Sequence, residues 1–393
     1  MASVVFYFQV HQPFRLRRYS VFDTDQHYFD DYKNLEVLRK VAQKCYLPAN
    51  TALLETIRAN EGRFRVALSV TGVALEQFRV CAPDVVEGFQ KLAATGCVEF
   101  LDETYYHSLA FLYSREEFRA QVEKHRALMA ELFGQKPRVF RNTELIYNND
   151  LAHFVAHMGY DAILTEGADA ILGARSPNFV YRPPHANIKV LLKNYRLSDD
   201  ITYRFSDRNW DQWPLTAEKF ARLIDQINGH GSLCNLFIDY ETFGEHHWSE
   251  SGIFDFLRHL PAAVLRTAGN EFLTPSQVVD RYEAVGELDV PHMISWADAE
   301  RDLSTWLGNA MQSNALHELY KLESSLREAG DEGLMTDWRR LTSSDHFYYM
   351  CTKYWSNGAR HNKFFSPYES PYDSYINFMN VLDNVQSRLK DGR

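Results

Sequence analysis

The sequence predicts an α/β fold followed by a helical region. Three observations predict it: short apolar runs rich in β-branched and aromatic residues, longer amphipathic segments alternating with them up to Pro275, and a change of texture after Pro291. Strands are expected at residues 4–10, 64–70, 97–101, 138–141, 162–165, 190–192 and 233–240. Seven strands separated by helices can close a barrel, and an open doubly wound sheet gives much the same pattern, so spacing leaves both architectures open. Helices are expected at 115–133 and 217–228. The first opens on Ser114-Arg115-Glu116-Glu117, which has the S-x-x-E form of a capping box.

Beyond Pro291 the patterns at 298–328 and 333–354 are helical with little strand character. Residues 1–290 therefore read as a catalytic α/β domain and 291–393 as helices packed on it, sharing its core because no linker separates them. Trp296, Trp306 and the segment from Ser344 to Tyr349 concentrate aromatic and polar groups there. Trp296, Asp345 and His346 are the candidates to line a cleft.

Composition narrows the function classes. A chain of 393 residues with 45% hydrophobic residues has material for a large core, and a net charge of −10 disfavours nucleic acid and anionic membranes as partners. Aromatics make up 14% of the chain, and exposed aromatic rings stack well on sugars. The five cysteines contain no C-x-x-C pair, which argues for a reducing compartment and against a thiolate zinc site. The opening apolar run is too short to span a bilayer and has no basic leader, so a cytoplasmic location is expected.

Polar motifs follow the predicted strands directly, where α/β barrels build their sites. Gln9-Val10-His11-Gln12-Pro13 ends the first. Val98 to His107 ends the third and carries Glu99 inside an otherwise apolar run, where a charge needs a partner or a hydroxyl-rich ligand. Glu144 follows the fourth and Asp239 the seventh. Paired carboxylates suit glycosidic cleavage, in which one stays ionised to attack and the other holds a proton for the leaving oxygen. Arg141, three residues before Glu144, is placed to keep that carboxylate charged, while Leu236-Phe237-Ile238 before Asp239 favours its protonated form. A rim salt bridge is the competing account of either residue alone.

At these residues the chain resembles glycoside hydrolase family 57, in particular its shorter α-amylase-type members. The likeness lies in His11-Gln12-Pro13, Gly96 to Glu99, Phe140 to Asn149, Phe237 to His246, and Ser344 to Tyr349. It implies a (β/α)7 barrel, an incomplete TIM-like barrel, with a helical region after it. It also implies a retaining mechanism on α-glucans or maltooligosaccharides and no metal or other cofactor. By position Glu144 becomes nucleophile and Asp239 acid/base, and His11, Glu99 and His246 become substrate contacts. Two departures stand out: Arg141, itself a candidate substrate contact, occupies the place where the family's glucanotransferases carry a Trp and cannot offer the same sugar-stacking face, and Gln9 replaces a second His. The alternatives are 4-α-glucan transfer on the same site, a metal-dependent hydrolase using Asp239, Glu241, His246 and His247, or a non-catalytic glucan-binding protein.

Overall fold

The computed structural model describes residues 2–353 and 366–391. Seven parallel strands carry the fold: β1 (Ser3–Val10), β2 (Val66–Val70), β3 (Val98–Phe100), β4 (Val139–Arg141), β5 (Ala162–Glu166), β6 (Lys189–Lys193) and β7 (Leu233–Asp239). All seven lie where the apolar runs predict them. They are buried almost throughout, which is why they read as continuous hydrophobic runs rather than as alternating ones.

The strands pair in two ladders, β3-β2-β1-β7 and β4-β5-β6. Two seams join the ladders into an incomplete barrel. At one, Asp102 just past β3 bridges Phe140, donating to the Val139 carbonyl (3.1 Å) and accepting from the Arg141 amide (2.9 Å). At the other, the Asn194 amide donates to the Asn235 carbonyl (2.8 Å) and Asn235 Nδ2 returns to the Leu192 carbonyl (2.8 Å). Backbone groups left over where the ladders stop are thus partly satisfied by single bonds.

Inside, Val5, Tyr7, Ala67, Leu101, Val139, Ala162, Leu164, Leu191, Leu233 and Phe237 form one cluster. Outside, the helices of the first half pack on β1, β2, β3 and β7. The outward residues Phe140, Ile163 and Val190 instead share a cluster with Leu316, Leu319, Trp338, Leu341, Val381 and Leu389 of the later helices.

Some elements differ from expectation. The stretch 298–328 is broken: it begins as a loop with Asp298 and Arg301 at positive φ, and helices run Ser304–Leu307, Ala310–Lys321 and Glu323–Ala329. The next stretch divides into Glu332–Leu341 and Ser344–Tyr348, and Tyr354, its predicted end, lies outside the described residues. The long helix Pro371–Asp391 and the two-residue strands Val180–Tyr181 and Glu271–Phe272 are not anticipated by the pattern.

The helix Arg115–Phe133 begins as predicted, with Ser114 Oγ accepting the Glu117 amide (3.1 Å). Glu117 does not complete the box. Its buried carboxylate accepts from Arg339 Nε (2.8 Å) and Arg327 Nη2 (2.7 Å), tying this helix to the later ones. Stripping one side from a buried ion cluster leaves the remaining charges uncompensated, at a cost of about 3 to 5 kcal/mol. Glu117→Ala is therefore expected to lower stability by roughly 3 kcal/mol in chemical denaturation. A loss below about 0.5 kcal/mol, the range of an ordinary surface change, would show that the cluster does not hold the helices.

Candidate active site

Side chains alternate along a strand, so the cluster residues fix which later positions also face inward. Gln9 follows Tyr7, Glu103 follows Leu101, Arg141 follows Val139, Glu166 follows Leu164, Lys193 follows Leu191 and Asp239 follows Phe237. Six of the seven strands thus end, on their inward parity, in a polar rim at the carboxyl end of the barrel. Gln9 and Asp239 are register partners on that rim.

Glu144 stands just past β4 in a single helical turn, Thr143–Leu145. Its backbone is left-handed at φ 56°, and Leu145 follows at φ 50°. Such conformations cost non-glycine residues about 1 to 3 kcal/mol each and persist only where the surroundings enforce them. Both carboxylate oxygens are held. Oε1 lies 3.3 Å from His107 Nε2 and accepts from Ser344 Oγ (2.9 Å), and Oε2 accepts from Trp296 Nε1 (2.9 Å). Burial opposes its charge, but His107, Arg141 and the Trp296 bond outweigh burial and bring the pKa below the ordinary carboxylate value.

Asp239 has the opposite balance. Burial first, and then the charge of Glu144, raise its pKa to about 6, against the downward pull of Arg141, Lys193 and His107. Next to it, burial and the charge of Asp239 push Glu241 up to about 8, and Glu241 Oε1 accepts from the Tyr46 hydroxyl (2.5 Å).

Trp296 comes in from the loop after the barrel. Its amide donates to the Glu144 carbonyl (3.2 Å), and its ring lies 5.1 Å from the Arg141 guanidinium and 5.4 Å from Lys193 Nζ. Arg301 secures the loop, donating to the Trp296 carbonyl (2.5 Å) and pairing with Glu166 (3.3 Å). A second group closes the other side: His11 Nε2 meets Asp345 Oδ2 (2.8 Å), and the His11 ring stacks on His107 at 4.0 Å.

A strained carboxylate whose pKa is lowered and a second whose pKa is raised, both at one barrel rim, suit glycosidic cleavage. The model of Glycosyl hydrolase family 57 matches residues 5–291. A protein of Methanocaldococcus jannaschii named "Putative alpha-amylase" is 43% identical over 99% of this chain and 85% of its own length. This chain belongs to glycosyl hydrolase family 57. Two solved structures of low identity share its fold. One is a GH57 branching enzyme from Thermococcus kodakaraensis (TM-score 0.67, 15% identity, 100% of this chain and 94% of that one). The other is a 4-alpha-glucanotransferase from Thermococcus litoralis (TM-score 0.63, 15% identity, 97% of this chain and 59% of that one).

Of the residues singled out from sequence in this family 57 chain, Glu144, Asp239, His11, Trp296 and Asp345 gather at the rim. Of the other four, Glu99 and His346 stand apart, Arg141 is on the rim but buried, and His246 follows Asp239 with its amide donating to the Glu241 carbonyl (2.9 Å). Glu99 faces the barrel interior but below the rim, in register with Ala67, and its carboxylate accepts from the Ser276 amide (2.9 Å) and hydroxyl (2.5 Å). Arg141 is wholly buried beneath Trp296, so it acts on the carboxylates through its charge and presents no surface to a substrate. His346 turns away from Asp345 on its short helix, packs on Phe378 and lies 3.2 Å from the Arg340 carbonyl. His246 is exposed; its neighbour His247 is the buried one, between Ser206 Oγ (2.8 Å) and the Thr202 carbonyl (2.9 Å). Among the described residues no group of three or more His, Cys, Asp or Glu is placed to hold a metal ion, and no helix is long and apolar enough to cross a membrane.

The sequence reading does not single out Glu103, His107 or Lys193; it names Glu241 only as a ligand of the metal-dependent alternative and Ser344 only as the start of the segment to Tyr349. Glu99 and Glu103 share the inward parity of the third strand, and only depth separates them: Glu103 lies at the rim and Glu99 two inward positions below it. Because Glu99 is committed to Ser276, Glu99→Gln is expected to lower the melting temperature while leaving kcat and KM within about twofold. A large rise in KM at unchanged stability would return Glu99 to the substrate.

Proposed function

We propose that this chain is a retaining glycosidase that hydrolyses α-1,4-linked glucans, with Glu144 as nucleophile and Asp239 as general acid and base. The observation that carries the proposal is the placement of the two carboxylates at one rim, Glu144 held by three donors that lower its pKa and Asp239 buried so that its own is raised. In the first half-reaction Asp239 gives its proton to the glycosidic oxygen, Glu144 bonds to the anomeric carbon, and the bond to the leaving sugar breaks. Esterification removes the Glu144 charge, one of the two causes that raise the Asp239 pKa, so that pKa falls. The same carboxylate then takes a proton from the water that frees the sugar.

The α-glucan substrate is supported by the name of the M. jannaschii relative. A cytosolic location belongs to the same proposal and fits five free cysteines. Transfer to a second sugar is the alternative that one observation favours. The glucanotransferases' Trp is replaced here by Arg141, yet the half-buried Trp296 ring covers that arginine and restores an aromatic face beside Glu144.

Glu144→Gln and Asp239→Asn are each expected to abolish turnover with the fold intact. A variant keeping more than about a tenth of the wild-type rate would lose its assigned role.

The pH profile carries a sign. Asp239 must hold a proton, so kcat/KM should fall as pH rises through about 6, and should fall again in acid as Glu144 takes up a proton. A profile flat from pH 5 to 8 would contradict the division of roles. On maltoheptaose, shorter products with matching new reducing ends are expected. Products longer than the substrate, with reducing ends unchanged in number, would establish transfer instead.

A further inference from the structure

We propose that His107 is a positioning residue for the nucleophile: an imidazolium held between Glu103 and Glu144 that fixes the Glu144 carboxylate for attack and keeps its own charge when Glu144 is esterified. This rests on reading Glu144 as nucleophile. His107 Nδ1 lies 3.3 Å from Glu103 Oε2 and Nε2 lies 3.3 Å from Glu144 Oε1. Ionised carboxylates only accept hydrogen bonds, so a ring facing one on each side needs a proton on both nitrogens.

The ring has no freedom to leave. It is buried, and the His107 backbone is left-handed at φ 52°, as that of Glu144 is at φ 56°, so both ends of the contact are held in costly conformations. Glu103 is fully buried and is itself held by Gln9 Nε2 (3.4 and 3.5 Å), with Arg141 Nη1 at 3.8 Å.

On its open face the ring stacks against His11, at 4.0 Å between centroids and 24° between planes. Two stacked cations would repel, so His11 takes the neutral form: Nε2–H donates to Asp345 (2.8 Å) and Nδ1 accepts from the Thr71 hydroxyl (2.9 Å). The charged or titratable groups facing His107 are therefore Glu103, Glu144, Arg141, Asp345 and Asp239, with His11 neutral. Burial alone would strip the ring of its proton, but the bonds to Glu103 and Glu144 overcome burial and push its pKa up to about 9. Conversely, His107 stands first among the groups that keep Glu144 ionised.

The pairing also accounts for the second carboxylate. When Glu144 bonds to the anomeric carbon its negative charge disappears, and the proton lost by Asp239 leaves a new charge there, so the total is unchanged. A histidine paired only with Glu144 would lose its counter-ion at that step. Glu103 is buried beyond the reach of the substrate and holds the ring charged through both half-reactions.

Profiles of kcat/KM against pH for wild type, His107→Gln and Glu103→Gln test this, together with trapping of the intermediate by a fluorinated α-glucosyl fluoride and peptide mass mapping. Removing a cation at this range raises a carboxylate pKa by about 1 to 3 units. In His107→Gln the acidic limb is therefore expected to move up by about one pH unit or more, with the label still on the peptide containing Glu144. Loss of rate with the acidic limb unmoved would mean a merely structural histidine and would overturn the proposal. A label on another peptide would overturn the nucleophile reading itself. If His107→Gln does not fold, Glu103→Gln decides: with one of its two counter-charges gone the ring gives up its proton at lower pH, read from the 15N shifts of His107, and a ring titration unmoved from wild type overturns the proposal. In 15N-labelled wild-type protein at pH 7, both His107 ring nitrogens are expected to carry protons, and a neutral ring would falsify the imidazolium.

Discussion

Each inward side chain of a strand lies two residues from the next, and in this barrel that period ends on a charge five times: Glu103, Arg141, Glu166, Lys193 and Asp239. Their signs alternate around the rim from β3 to β7. Arg141 reaches Glu103 at 3.8 Å and Lys193 reaches Glu166 at 3.5 Å, so the charges that face each other at close range are opposite. Burying one such group alone would be prohibitive, whereas a ring of opposed charges distributes the desolvation and leaves a strong local field. Asp239 ends that ring, and the ring's two cations are among the groups that limit how far its pKa rises.

The rim does not finish the site without the residues that follow the barrel. Trp296 binds one oxygen of Glu144 and Ser344 the other, while Asp345 holds His11. These contacts span up to 334 positions in the chain. The later helices reach the rim because they also own the outer faces of β4, β5 and β6, where Phe140, Ile163 and Val190 share their core. A helical region bound only to the barrel's outside would leave Glu144 with His107 alone. The two left-handed residues at Glu144 and Leu145 are affordable because three donors from three segments converge on that carboxylate.

Much of this was legible in the sequence. All seven strands could be read because a buried parallel strand is an unbroken apolar run, and Glu144 and Asp239 because a carboxylate following such a run is expensive unless used. What the sequence leaves undetermined follows from its one-dimensional nature. The third strand is only three residues long, Val98–Phe100, and Glu99 and Glu103 share its inward parity, so the sequence does not show which of the two lies at the depth of the rim. Asp345 and His346 are adjacent in sequence, yet one turns to His11 and the other into the helical core, because successive residues on a helix point about 100° apart. The spacing puts Arg141 close to Glu144, but its depth beneath Trp296 depends on a loop more than a hundred residues later. The sequence alone determined which residue types end which strands. Only the tertiary structure decided that His107 lies between two carboxylates, since Glu103, His107 and Glu144 meet through backbone turns and a barrel seam that leave no periodic trace.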